Sequence, residues 1–200
     1  MARLNAVELA MMQSPARAFA QRHVELRTFR RLMKRAGVDL TGARILDAGC
    51  GSGLGLALLA DELAPSRLVG IDLMPEQIER ARARGVAAEL RVGDLTAIDE
   101  PDAAFDAVFV FGILHHVPAW RAALHELARV LEPGGVLAIE ELHGRAVDLE
   151  DRLLGTEHPR EARFDWPTFR AALRCAGFAI AAEAALLPFG GARSFVAIRE

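Results

Sequence analysis

The sequence predicts a doubly wound α/β domain. From Ala43 onward, apolar runs of strand length alternate with helix-like runs, as a sheet covered on both faces requires. A strand, a glycine-rich turn and a helix start follow one another between Ile45 and Ala60. Acidic residues then stand at later strand ends, at Asp72 and Asp94. With 200 residues, 52% of them hydrophobic and 26% charged, the chain can bury one large core.

Ser14-Pro15 opens an N-terminal helix, serine as N-cap and proline where no N–H is needed. Phe19, Leu26, Phe29 and Met33 recur at helical spacing until Gly37 closes the run. Its other face carries Arg17, Arg22, Arg27, Arg30, Arg31, Lys34 and Arg35, read as solvated rather than as an anion- or membrane-binding surface. Residues 1–40 are therefore expected to form a helical cap outside the sheet, and 41–200 the main domain. Strands are expected at 44–48, 67–72, 88–92, 105–111, 136–140, 178–186 and 194–198. The run 105–111 is apolar enough to be buried on both faces. Helices are expected at 53–62, 76–84, 118–131 and 166–176, with Pro133-Gly134-Gly135 stopping the third and Gly177 the last. Residues 143–164 read as a lid or substrate-binding insertion. Phe164, Trp166 and Phe169 either line an apolar pocket or, as preferred here, dock the last helix.

The stretch Ile45-Leu46-Asp47-Ala48-Gly49-Cys50-Gly51-Ser52-Gly53-Leu54-Gly55 bears most on function. Alternate glycines let the backbone meet a ligand with no Cβ in the way, and the helix start behind them offers unpaired N–H groups. A nucleotide-like ligand is expected. The Gly-x-Gly-x-x-Gly dinucleotide fingerprint fails in both registers, because Leu54 and Leu56 stand where its third glycine belongs. A Gly-Lys-Ser/Thr phosphate loop is absent, since Lys34 is the only lysine. Asp47 suits a ligand carrying an ammonium and a sulfonium better than a pyrophosphate. Asp72 can accept from ribose hydroxyls or cap the helix beginning at Pro75, and Asp94 is a ligand contact or an ordinary loop acid. Phe111-Gly112-Ile113-Leu114-His115-His116-Val117 follows the fourth strand, so all these features fall on one sheet edge.

A net charge of −3 argues against general nucleic-acid affinity. Cys50 and Cys175 match neither a disulfide framework nor a metal spacing, so no metal is expected. No apolar run approaches ~20 residues and no signal-like segment opens the chain, so a membrane span is not expected and a cytoplasmic location is.

These residues carry a family likeness. Leu46-Asp47-Ala48-Gly49-Cys50-Gly51-Ser52-Gly53 closely resembles the first motif of class I S-adenosylmethionine-dependent methyltransferases, and the likeness extends over about residues 41–140. Residues 68–72 match the family's second-strand motif, 92–95 its adenine-contact segment, and 105–117 its fourth-strand segment ending in Leu-His-His-Val. Ala128-Arg129-Val130-Leu131-Glu132-Pro133-Gly134-Gly135 matches a further shared block, with Glu132 where lysine is usual. The chain is similar to small-molecule methyltransferases such as those of ubiquinone and menaquinone biosynthesis. The resemblance implies a Rossmann-like, mostly parallel seven-stranded sheet with its last strand antiparallel. It implies S-adenosylmethionine as cofactor, with S-adenosylhomocysteine as product. It further implies that Asp47, Gly49, Cys50, Gly51 and Gly53 hold the methionine part, while Asp72 binds the ribose and Leu73 packs on the adenine. Asp94 and the Leu95 N–H would read the adenine, and Phe111 would lie under the methionine amine.

A sulfonium is a good leaving group, so such an enzyme must above all align a nucleophile, worth roughly 7 kcal/mol or more. A base helps only where the nucleophile must lose a proton. With no tyrosine, and the lone lysine in the N-terminal helix, that base must be His, Asp or Glu. His115 and His116 follow the fourth strand, His115 being the preferred substrate-facing residue, with a packing role open for either. Glu140 and Glu141 close the fifth strand, where alternation should turn one of them inward, and Glu141 joins the histidines as a catalytic candidate. A small-molecule methyl acceptor is expected, not nucleic acid, for lack of a basic, aromatic-rich appendage. A dinucleotide-dependent oxidoreductase and a non-catalytic S-adenosylmethionine-binding module are the alternatives.

Overall fold

A computed structural model of the chain describes residues 14–186 and 190–200. The first helical segments are α1 (Pro15–Ala20), a π-helical turn (Gln21–Glu25) and α2 (Leu26–Ala36). The main domain then runs β1 (Arg44–Ala48), α3 (Leu54–Leu63), β2 (Arg67–Asp72), α4 (Pro75–Ala83), β3 (Glu89–Val92) and β4 (Phe105–Phe111). After β4 come a 3₁₀ turn (Leu114–His116), α5 (Trp120–Val130), β5 (Leu131–Leu142), α6 (Gly144–Leu154) and a second 3₁₀ turn (Arg160–Ala162). α7 (Trp166–Cys175), β6 (Phe178–Ala185) and β7 (Ala192–Arg199) complete it. The seven strands lie in the order β3-β2-β1-β4-β5-β7-β6, parallel except for the last, β7, which is antiparallel to both neighbours. That is the sheet the sequence predicts.

Two apolar layers sandwich this sheet. On one face Leu46, Val69, Val108 and Leu137 pack under α5 and α7, whose Trp120, Leu124, Phe169 and Leu173 are fully buried or nearly so. Phe164, Trp166 and Phe169 belong to this layer, so they dock α7 as expected, and the Trp166 indole N–H donates to the Gly190 carbonyl at 2.7 Å. On the other face Ile45, Leu68, Phe109 and Ala138 meet α2 and α3. Phe29 of α2 is wholly buried there and meets the rings of Phe109 and Phe111 edge-on, at 5.9 and 5.6 Å. α2 is thereby fastened to the middle of the sheet. No described helix is long and apolar enough to cross a membrane.

Two expectations about elements need correction. The N-terminal helix is not continuous: Gln21–Glu25 is a π-turn, which turns the preceding residues by about 100° relative to α-helical periodicity. Pro133-Gly134-Gly135 does not separate helix from strand, because β5 starts at Leu131. Leu131 pairs with Phe105 and Val136 with Ala107, so the Pro-Gly-Gly segment bulges out of one strand. The insertion 143–164 carries α6, capped by the His143 imidazole, which accepts from the Arg145 N–H at 3.0 Å.

Replacing Phe29 by Ala should lower stability by about 3–5 kcal/mol, the cost of emptying a large aromatic site. Urea unfolding checks this, and an unchanged midpoint would show that α2 is not anchored in the core.

Candidate active site

The site begins where β1 runs out. Asp47 is next to last in β1 and 1% exposed, and neither carboxylate oxygen has a hydrogen-bond partner among the described residues. Burial, and next the nearby Asp72 carboxylate, push its acidity from 3.8 up to about 8, while Arg17 pulls the other way. Local backbone makes this burial possible. A Cβ at Gly55, in the first turn of α3, would lie 2.7 Å from Asp47 Oδ2 and 3.0 Å from the Phe111 ring. Only glycine lets helix and carboxylate meet. Gly49 has φ 82°, which a side chain rarely adopts, and its N–H donates to the Ile71 carbonyl at 2.9 Å, turning the chain across β2.

Asp72, at the end of β2, faces the same crevice. Its Oδ2 accepts from the Gly51 N–H at 3.0 Å and its Oδ1 from the Met74 N–H at 2.9 Å. The carboxylate thus ties the glycine loop to the start of α4, and lone pairs remain on both oxygens for a ligand. Burial raises its pKa above the ordinary carboxylate range, the two N–H donors opposing. The N-terminal segment closes the crevice from above. Gln21 and Glu25 are buried, and Arg17 pairs with Glu25. Glu140 of β5 is buried beside Glu25, and burial, then that neighbouring carboxyl, lift it well above its ordinary range. The enclosed space among Arg17, Gln21, Asp47, Gly51, Asp72 and Phe111 is about 40 Å³. That is room for roughly one water, against roughly 300–1,000 Å³ for a small-molecule pocket. A ligand of nucleoside size needs more space than this.

On the opposite sheet face lies a second polar group. Glu141 is wholly buried, and its Oε1 accepts from the N–H groups of Ile113 and Leu114 at 3.0 and 2.6 Å. Its Oε2 lies 2.8 Å from His115 Nδ1. His116 is buried against His115 and His158, and burial first, then those two imidazoles, push it down to about 2. So weak a base takes a proton poorly near neutral pH.

The structure brings Asp47, Gly49, Cys50, Gly51, Asp72 and Phe111 together around one crevice. Gly53 caps α3 beside them with φ 81°. Cys50 is a buried residue of the packed layer, its thiol raised by burial. Leu73, Asp94 and Leu95 lie outside the enclosed lining. Asp94 Oδ1 accepts from the Thr96 N–H and hydroxyl, both at 2.8 Å, and Leu95 is 1% exposed in the core. His115, His116 and Glu141 form one cluster, which does not line the crevice. Both Glu140 and Glu141 prove buried, one under each sheet face, where alternation alone predicts one inward. Arg17 belongs to the site rather than to a solvated face, because the π-turn rotates it inward. Gln21, Gln77 and Ile113 also line the crevice, and no sequence pattern singles them out.

Residues 46–139 match the family described as "Methyltransferase domain". A ubiquinone biosynthesis O-methyltransferase of Xanthomonas oryzae pv. oryzae is 36% identical over 132 residues, 62% of this chain and 53% of that protein. The chain thus spans about half the length of the curated relatives it matches. A SAM-dependent methyltransferase from Aquifex aeolicus superposes with TM-score 0.75 at 19% identity, covering 99% of this chain and 100% of the other. A chain from the complex of the Haloferax volcanii Trm112 methyltransferase activator with a methyltransferase gives 0.76 at 20% identity, with 99% of each covered.

Asp47 carries a stability signature. Below pH 3.8 both folded and unfolded chains hold its proton; between 3.8 and about 8 only the folded chain does, so this group makes the fold less stable as pH rises through that window. Asp47→Asn should therefore raise the melting temperature of the ligand-free protein by a few degrees at pH near 8, with little gain near pH 4. An Asn variant that melts lower at both pH values would show that the carboxylate is not desolvated.

Proposed function

We propose that the chain is a class I S-adenosylmethionine-dependent methyltransferase, with S-adenosylmethionine as cofactor, and that it moves the cofactor's methyl group to a small-molecule nucleophile by in-line displacement; its match to the methyltransferase-domain family over residues 46–139 supports this reading. The bound cofactor supplies an activated methyl on a sulfonium. One observation carries the reading of the site: a wholly buried carboxylate, Asp47, whose oxygens have no partner among the described residues. A buried charge needs a counter-charge, and a ligand ammonium held against Asp47 meets that need. The glycine cradle leaves no room for a Cβ between Asp47 and α3, which fits the amino-acid portion of the same ligand.

The family resemblance supplies the proposed roles. Asp47 takes the ammonium, with Phe111 beneath it, and the backbone of Gly49, Cys50, Gly51 and Gly53 shapes the wall. Asp72, already oriented by two backbone N–H donors, accepts from the ribose hydroxyls. Farther along the same edge, Leu73 packs on the adenine, and Asp94 and the Leu95 N–H meet its polar rim. Arg17, released from over the crevice, keeps its pairing with Glu25 and screens the acids. His115 and His116 bound the acceptor side beyond Ile113, and Glu141 is a positioning residue that fixes the histidine turn.

The Xanthomonas relative, a ubiquinone biosynthesis O-methyltransferase, supports an oxygen nucleophile, with nitrogen and carbon acceptors the alternatives. The acceptor pocket falls to the N-terminal segment and to 143–164, both outside the family-matched residues 46–139. A cytoplasmic location for the protein belongs to the same proposal. An oxidoreductase and a binding-only module have no site feature in their favour.

Calorimetry with S-adenosylhomocysteine tests the reading. The wild-type chain should bind in the micromolar range, and Asp47→Ala and Asp72→Ala should each weaken binding about tenfold or more. No heat of binding with the wild type, or full affinity in Asp47→Ala, would overturn it.

A further inference from the structure

We propose that His115, His116 and His158 form a binding site for a divalent transition-metal ion, zinc fitting it best. The rings are 5, 8 and 7% exposed, and one nitrogen from each lies within 4.8 Å of the others. They converge from distant parts of the chain: His115 and His116 from the turn after β4, His158 from the segment after α6. Their planes are inclined by 40 to 43°, so the rings do not stack face to face. Zinc sits about 2.0–2.1 Å from an imidazole nitrogen, placing tetrahedral ligands about 3.3 Å apart. Binding the ion requires the three nitrogens to draw together from within 4.8 Å to that spacing.

A second, independent feature points the same way. His115 Nδ1 lies 2.8 Å from Glu141 Oε2, and His158 Nδ1 lies 2.6 Å from Asp151 Oδ1. A carboxylate at Nδ1 holds the proton there and leaves Nε2 as the donor nitrogen, the arrangement that stands behind metal-bound histidines. Both carboxylates are anchored in turn. Glu141 accepts from the Ile113 and Leu114 N–H groups, and Asp151 from the Thr156 hydroxyl at 2.8 Å and from Arg163 at 2.6 Å.

Chemistry selects the ion. Three imidazoles suit zinc, cobalt or nickel, whereas calcium and magnesium take oxygen ligands. Three protein ligands also leave a fourth position for water. The ion would clamp the 143–164 insertion onto the end of β4, on the sheet face opposite Asp47. Cysteine spacing, the basis for expecting no metal, does not register such a group. The inference stands on ring geometry, independent of the methyl-transfer reading.

The untagged, metal-stripped full chain is titrated with zinc against a chromophoric chelator. About one equivalent should bind below micromolar concentration, and cobalt should give the intense visible absorption of a four-coordinate ion. His116→Ala and His158→Ala should abolish binding, whereas His125→Ala, at an exposed position, should retain it. Asp151→Asn keeps all three ligands and should weaken binding about 10–100-fold, which carries the test even where a histidine variant fails to fold. A wild-type chain that takes up no zinc, or a folded His116→Ala that binds as tightly as wild type, would overturn the proposal. S-adenosylhomocysteine binding, measured separately, is expected to survive His158→Ala, so failure of one proposal leaves the other standing.

Discussion

A buried carboxyl group with no hydrogen-bond partner among the described residues organises this molecule. β1 lies inside the sheet between β2 and β4, so a polar residue near its end is carried into the protein rather than into water. The fold holds Asp47 there at a cost, since burial pushes its acidity up to about 8. The surrounding sequence serves that placement. Gly55 keeps α3 close to the carboxylate, Phe111 seals its apolar side, and Asp72 ties the glycine loop across it.

The N-terminal segment adds a linked equilibrium. Arg17 acts on Asp47 and partly offsets its charge, and Gln21 fills space beside Gly55. With about 40 Å³ enclosed, ligand entry and displacement of these side chains are one event. The ligand's affinity is then its intrinsic affinity reduced by the cost of opening. Beyond the π-turn at Gln21–Glu25, α2 is held by Phe29 against Phe109 and Phe111.

Much of this was legible in the residues, for identifiable reasons. β1, β2 and β4 match the expected bounds because each is an apolar run closed by an acid, a glycine or a turn. The crevice was legible because strand ends, glycines and acids recur in a fixed order. What stayed hidden depends on geometry that no local pattern encodes. Extrapolating an α-helical period through a π-turn sends Arg17 to the wrong side. Reading Pro133-Gly134-Gly135 as a stop hides a bulge, because the pairing of Leu131 with Phe105 is decided across the sheet. His158 joins His115 and His116 only through the path of α6 and the loop after it.

The central claim is that ligand binding ionises Asp47. Titrating S-adenosylhomocysteine at about pH 7 in buffers of different ionisation enthalpy measures the protons exchanged. Release of close to one proton per site is expected, falling toward zero as pH passes above about 8, where the free protein has already lost it. Binding that releases no proton at about pH 7 would contradict the account.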